Sequence, residues 1–314
     1  MKNKTRRDNM NVDMLVDYYN AHYNGKIFHT KLSIKDKNYA VMYTHNQIDE
    51  IKNFVEKFSK YFPFYVWNED QLEVLSEDDI DSELNRASHI CWDNNSLVPR
   101  RATKVNGIYG EVFLDFYERI IKRHKLVCTF AGKRSFKSNY EATGFDNVFY
   151  IIGDTGIEFV FSEAKFVTNS STAKSDLIKD ISGKDASSYG HLSKDFLNDY
   201  ISFVVQKASY FSATERAQLK SLFSELNKVL VSGKKDFVQY LIDTNTKVNC
   251  VFFAIFQSTR TTPEQLADTY DSINREAKQK LDSMGIGTYS IEIVFVPIHN
   301  KSMEIKGAID EHYK

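Results

Sequence analysis

The spacing of apolar residues changes several times along the chain, and each change predicts an element. In EVFLDFYERIIKRHK, residues 111–125, Phe113, Phe116, Tyr117, Ile120 and Ile121 recur at helical spacing while Glu111, Asp115, Glu118 and Lys122 form the other stripe. That pattern predicts an amphipathic helix starting after Gly110. Two β-rich runs in GFDNVFYIIGDTGIEFVFSEAKFV, residues 144–167, flank the turn signal GDTG and predict a hairpin. SSTAKSDLIKDI offers Ser and Thr caps for a helix from about Ala173, and residues 195–243 read as helical in at least two pieces. Later, VNCVFFAIF is a continuous apolar strand, TPEQLADTYDSINREAKQKLDSMG a helix with Pro263 near its start and Gly285 after its end, and YSIEIVFVPI another strand. Strand, helix, strand implies a parallel crossover, hence an α/β protein with a mixed sheet flanked by helices.

The first hundred residues are patterned differently. A strand at 39–43, YAVMY, and a helix from about Asn46 to Phe58 precede the aromatic run YFPFYVW and the acidic stretch NEDQLEVLSEDDIDSEL. They read as an N-terminal α+β region with an acidic surface and no chemistry of its own. A composition change near PRRATKVNG divides the chain into 1–99 and 100–314.

Composition excludes several classes. With 42% hydrophobic and 14% aromatic residues, four prolines and no repeat, the 314-residue chain is expected to be compact rather than disordered. MKNKTRRDNM is not followed by an apolar run, so neither a secretion signal nor a membrane span is expected, and the cytoplasm is the expected location. Cys91, Cys128 and Cys250 stand too far apart for a C-x-x-C pair and read as core residues. The eight histidines show no metal-binding spacing. GKRS at 132–135 has Val127 where a Walker glycine would stand, so the chain itself is not expected to bind ATP.

Net charge is −1, but residues 119–137 hold seven Lys or Arg and no acid. This is either a phosphate-facing patch or a solvated helix face followed by a loop. Glu-x-Lys occurs four times, and only Glu163 with Lys165 falls on an apolar strand. Strand alternation puts them on one face with Phe159, Phe161 and Val167. If Gly153 and Gly156 flank a two-residue turn, Asp146 stands opposite Glu163; a slip by two would set it opposite Lys165, and an odd-length loop would separate it from both. Charges in a half-buried sheet are costly unless paired or bound to a cation. One reading is a structural ion pair. The other is a divalent-metal site, with Asp146 and Glu163 as hard oxygen ligands and Lys165 placed to orient or deprotonate a water and offset charge on a phosphodiester.

Asp146 and Glu163-Ala164-Lys165, across a hairpin and after a helix bearing Glu111, resemble the active site of the PD-(D/E)xK nuclease superfamily, with Phe145 in place of the leading proline. GEVFLDFYERIIK, GFD, SEAKF and VFVPI, spread over roughly residues 100–300, resemble more closely the nuclease subunits of the Hachiman antiphage defence system. The resemblance implies a restriction-endonuclease-like fold and a DNA endonuclease or nickase using Mg²⁺, with Mn²⁺ as a substitute. It implies Asp146 and Glu163 as metal ligands, Lys165 as the catalytic lysine, and Glu111 as a carboxylate that joins the metal or orients a water. Lys133, Arg134 and Lys174 are the candidate phosphate contacts. A separate superfamily 2 helicase subunit is the implied partner. The rival readings are a DNA-binding scaffold without cutting activity, and a restriction or repair nuclease of other biology.

Overall fold

A computed structural model describes residues 12–24, 40–41, 56, 58–67, 72, 80–93, 106–126, 145–153, 156–183, 190–199, 224, 236–298 and 311–312. Among these, the strands are β1 (Ala40–Val41), β2 (Lys125–Leu126), β3 (Asn147–Gly153), β4 (Gly156–Phe166), β5 (Val248–Gln257) and β6 (Tyr289–Ile298). They form one sheet in the order β1-β6-β5-β4-β3-β2. β1, β6, β5 and β4 run parallel, and β3 and β2 continue the sheet antiparallel. The first nine residues of β5 are all buried, as expected of a parallel strand covered on both faces, where a continuous apolar run replaces alternation.

The β3–β4 hairpin has the register that a two-residue GDTG turn predicts. Gly153 pairs with Gly156 and Asn147 with Ser162, so the next position outward sets Asp146 opposite Glu163. The crossover from β5 to β6 runs through a helix, Pro263–Met284, started by a Thr262 capping box and stopped by Gly285 in the left-handed conformation.

Helices cover both faces. One face, with Phe149, Val160, Val251, Phe253 and Val294, packs on α1 (Val12–Tyr19), α2 (Phe62–Val66), α3 (Ile80–Asp93) and α4 (Asn106–Phe116). The other, with Phe159, Phe161, Phe252 and Phe295, packs on α5 (Ser170–Ser182), α6 (Phe237–Asp243) and α7, the crossover helix. The aromatic run of the N-terminal region therefore belongs to the same core as the sheet. Phe58 stacks on Phe113 with ring centres 4.3 Å apart, and Tyr61 sets its edge against Phe116 at 5.0 Å. β1 adds to the sheet beside β6.

Several expectations are corrected here. α4 starts at Asn106, not after Gly110, and continues as a π-helical turn over Tyr117–Ile121. Its polar stripe is not a solvated face: Asp115 and Glu118 are 0% exposed. For Asp115 the reason is the second layer of helices, which packs on α4 and supplies polar partners to it, whereas Glu118 is paired with His124, just beyond the same helix. Tyr61 donates to Asp115 Oδ2 at 2.5 Å, and Arg119, buried over the Phe64 ring, lies 3.5 Å from the same oxygen and donates to the Phe64 carbonyl. Arg119 thus leaves the basic patch, while Lys122 and Arg123 pair with Glu292 and Asp17. The helix expected from Ala173 starts at Ser170, and its cap is Asn169, whose Oδ1 accepts from the Thr172 N–H at 2.8 Å; no Ser or Thr takes that place. Cys250 is buried as expected, whereas the side chains of Cys91 and Cys128, the helix predicted at 46–58 apart from its last turn, and most of 200–235 lie outside the described residues.

Gly110 sits inside α4 where it crosses β4. A Cβ there would lie 3.5 Å from the Cβ atoms of Ala164 and Phe166, an ordinary contact. A glycine inside a helix costs about 0.5–1 kcal/mol relative to alanine. Gly110→Ala is therefore expected to raise stability by about that amount in urea denaturation, while Gly110→Val, which must push α4 off the strand, lowers it.

Candidate active site

The charged centre lies near the C-terminal end of β4, which pairs parallel with β5 and antiparallel with β3; open α/β sheets bind ligands outside the carboxyl ends of their strands. Glu163 and Lys165 continue the Phe159 and Phe161 stripe beneath α5. Lys165 Nζ lies 2.6 Å from Glu163 Oε1 and 2.5 Å from Asp180 Oδ2 on α5. His191 Nδ1 lies 3.2 Å from the other Glu163 oxygen. Asp146, just outside the β3 ladder, accepts from the Ala164 N–H at 2.7 Å, which fixes it against the strand that carries Glu163 and Lys165. Glu111, half-buried on α4, accepts from the Tyr65 hydroxyl at 2.8 Å.

The electrostatics follow from burial. Asp146 is held well above the usual carboxylate range, first by burial, then by the charges of Glu163 and Glu111. Glu163 moves the other way: burial opposes its ionisation, but His191 and Lys165 together outweigh it and hold the carboxylate ionised. Burial alone would push the Lys165 ammonium towards neutrality, yet Glu163, Asp146 and Asp180 override it and raise its pKa. Asp180 is raised, by burial and then by Glu163. The centre is a buried ammonium among more carboxylates than it can neutralise.

The donor chemistry suits a hard cation. Asp146 and Glu163 supply two carboxylates, a number Mg²⁺ commonly uses while keeping waters, and a cation would relieve the repulsion that raises Asp146. Among the described residues no three His, Cys, Asp or Glu side chains are gathered as a ready-made cage.

Of the predicted site residues, the structure brings Asp146, Glu163 and Lys165 together and sets Glu111 within electrostatic reach. Glu118, two turns beyond Glu111 and easily confused with it in the sequence, belongs to a different cluster: His124 Nδ1 is 2.6 Å from it, and Tyr117 and Lys122 both bind Glu292 nearby. Lys174 is paired with Asp268 at 2.6 Å on the rim of α5 and α7. Lys133 and Arg134 lie outside the described residues. Asp180, His191 and Tyr65 went unremarked in the sequence. Asp180 stands beside the apolar stripe Ala173, Leu177, Ile181, a faint sign that it turns towards the core; nothing local marks His191 or Tyr65.

Fold and centre together define an α/β protein whose mixed sheet carries a buried acid and lysine centre at the end of a parallel strand. No helix among the described residues is long and apolar enough to cross a membrane. The chain belongs to the HamA family, whose model matches residues 20–311, nearly its whole length. That membership gives it a role associated with Hachiman antiviral defence. No curated protein and no solved structure matches it.

Proposed function

We propose that the chain is a divalent-metal-dependent deoxyribonuclease, an endonuclease or nickase, with a restriction-endonuclease-like core. On this reading it is the effector of a Hachiman complex in the cytoplasm. The observation that carries the reading is the meeting of Asp146, Glu163 and Lys165 at one buried strand end, in the register of a two-residue hairpin turn. Asp146 and Glu163 would hold Mg²⁺ or Mn²⁺, which when bound supplies Lewis acidity towards a phosphodiester. Glu111, held by Tyr65, would complete the ligand set or orient the attacking water.

Glu163, Asp146 and Asp180 surround the Lys165 ammonium and favour its charged form before a cation binds. In that form it would stabilise negative charge on the phosphodiester and donate a hydrogen bond, while a cation on Asp146 and Glu163 would weaken the hold of those carboxylates and leave it the further role of helping to deprotonate a water. Burial strengthens that interaction, because fixed charges act more strongly away from bulk water. Lys133, Arg134 and Lys174 are proposed phosphate contacts; Lys174 would exchange Asp268 for a phosphate as DNA arrives. Membership of the HamA family supports a superfamily 2 helicase subunit, HamB-like, as the partner that would supply ATP-driven motion along DNA.

Metal removal tests the reading. The purified chain with its helicase subunit is expected to open supercoiled plasmid in Mg²⁺ or Mn²⁺, and to stop when EDTA is added. Equal opening in EDTA would contradict the proposal.

A further inference from the structure

We infer that His191 is a positioning residue of this centre: it holds the Glu163 carboxylate for the cation, and Gly190 allows it to reach that place. The inference rests on the reading of Glu163 as a metal-facing carboxylate.

After α5 the chain returns at residue 190 and docks on the helix end. His191 N–H donates to the Asp180 carbonyl at 2.6 Å and Leu192 N–H to the Ile181 carbonyl at 3.3 Å, satisfying carbonyls that a helix C-terminus leaves open. The approach is too close for a side chain. A Cβ on residue 190 would lie 2.1 Å from the Ile181 oxygen, 2.5 Å from Ser182 C and 2.6 Å from Gly183 N, all backbone atoms. Only glycine fits.

What this close approach delivers is the imidazole. Its ring stacks on Phe196 at 5.0 Å and meets Phe145 edge-on at 5.4 Å, and its side chain is 15% exposed. Nδ1 then faces Glu163 Oε2, and because an ionised carboxylate only accepts, the ring nitrogen is the donor. The same helix end also holds the other member of the pair, since the Asp180 side chain binds Lys165. Both charged groups of the strand are thus oriented from one place, the exit of α5. A carboxylate has about four lone-pair directions, so bonds from Lys165 and His191 still leave Glu163 able to take a metal. Donors behind a metal-facing carboxylate typically contribute about 10- to 100-fold to metal affinity.

Calorimetric titration of the full-length chain with Mn²⁺ tests this, with thermal melting to confirm folding. His191→Ala is expected to weaken Mn²⁺ binding about 10- to 100-fold. His191→Asn, which keeps an N–H donor near the same point, should recover most of the loss. Gly190→Ala should behave like His191→Ala although its imidazole is intact. Should His191→Ala bind Mn²⁺ as tightly as the wild type while Asp146→Asn does not, the role of His191 is overturned and the metal site stands. Equal weakness of His191→Asn and His191→Ala would also overturn it, because the hydrogen bond would then not be what matters. A wild-type chain that takes up no Mn²⁺ at millimolar concentration overturns both the inference and the reading beneath it.

Discussion

Lys165→Ala is expected to lower Mg²⁺-dependent opening of supercoiled plasmid by at least about 10²-fold, the usual loss when a fixed group that stabilises transition-state charge is removed. It should also lower stability. The ammonium lies between Glu163 and Asp180, and its removal leaves two largely buried carboxylates facing each other beside Asp146. Breaking a buried pair by taking one partner typically costs about 3–5 kcal/mol. Urea denaturation should therefore show a lower midpoint. Lys165→Arg keeps the charge, so it should recover much of the stability, but its larger planar head is not expected to restore cleavage. An unchanged cleavage rate in Lys165→Ala would remove the lysine from the chemistry.

The largest effect on stability alone is expected at Asp115. Its carboxylate is fully buried, accepts from Tyr61 and lies beside Arg119, which is itself held by the Phe64 carbonyl and ring. Asp115→Ala leaves a buried guanidinium and a buried phenol without their shared acceptor, so about 3–5 kcal/mol should be lost. Asp115→Asn, which keeps an oxygen acceptor for Tyr61, should lose less. The check is urea denaturation followed by far-ultraviolet circular dichroism. A loss under about 1 kcal/mol, the size expected of an exposed ion pair, would mean that the N-terminal helices do not bury this cluster in solution.

The centre was legible where chemistry and local geometry coincide. Two charges inside an apolar strand stand out because burial makes them costly, and strand alternation alone puts Glu163 and Lys165 on the Phe159 face. GDTG constrains the hairpin to a short turn, and the observed pairing of Gly153 with Gly156 then sets Asp146 opposite Glu163. The crossover helix carried its own start and stop signals at Thr262, Pro263 and Gly285.

What could not be read depends on distant partners. Asp115 and Glu118 look like an exposed stripe because helical spacing shows which residues share a side, not whether a second layer covers it. For Asp115 aromatic residues from the N-terminal region, more than forty positions away, provide the cover; Glu118 is paired with His124, just beyond the same helix. Asp180 reaches the centre because α5 packs its Ala173, Leu177 and Ile181 stripe on the sheet, and His191 because the chain returns across the end of α5, a contact set by Gly190 and not by any motif. Asn169 caps α5 in preference to the Ser and Thr that follow it. Capping depends on which residue has extended backbone at the helix start, and its immediate neighbours are equally competent by type.

The central claim of the proposal is that Asp146, just before β3, and Glu163, near the end of β4, would hold a divalent cation that DNA cleavage requires. The most direct measurement is the initial rate of plasmid opening by the chain with its helicase subunit, at saturating Mg²⁺, for the wild type and for Asp146→Asn. The account predicts that the wild type opens the plasmid and that Asp146→Asn, which keeps the acceptor for Ala164 N–H but loses the charge, is at least about 10²-fold slower. Equal rates, or phage protection that survives Asp146→Asn, would contradict it and favour a DNA-binding scaffold.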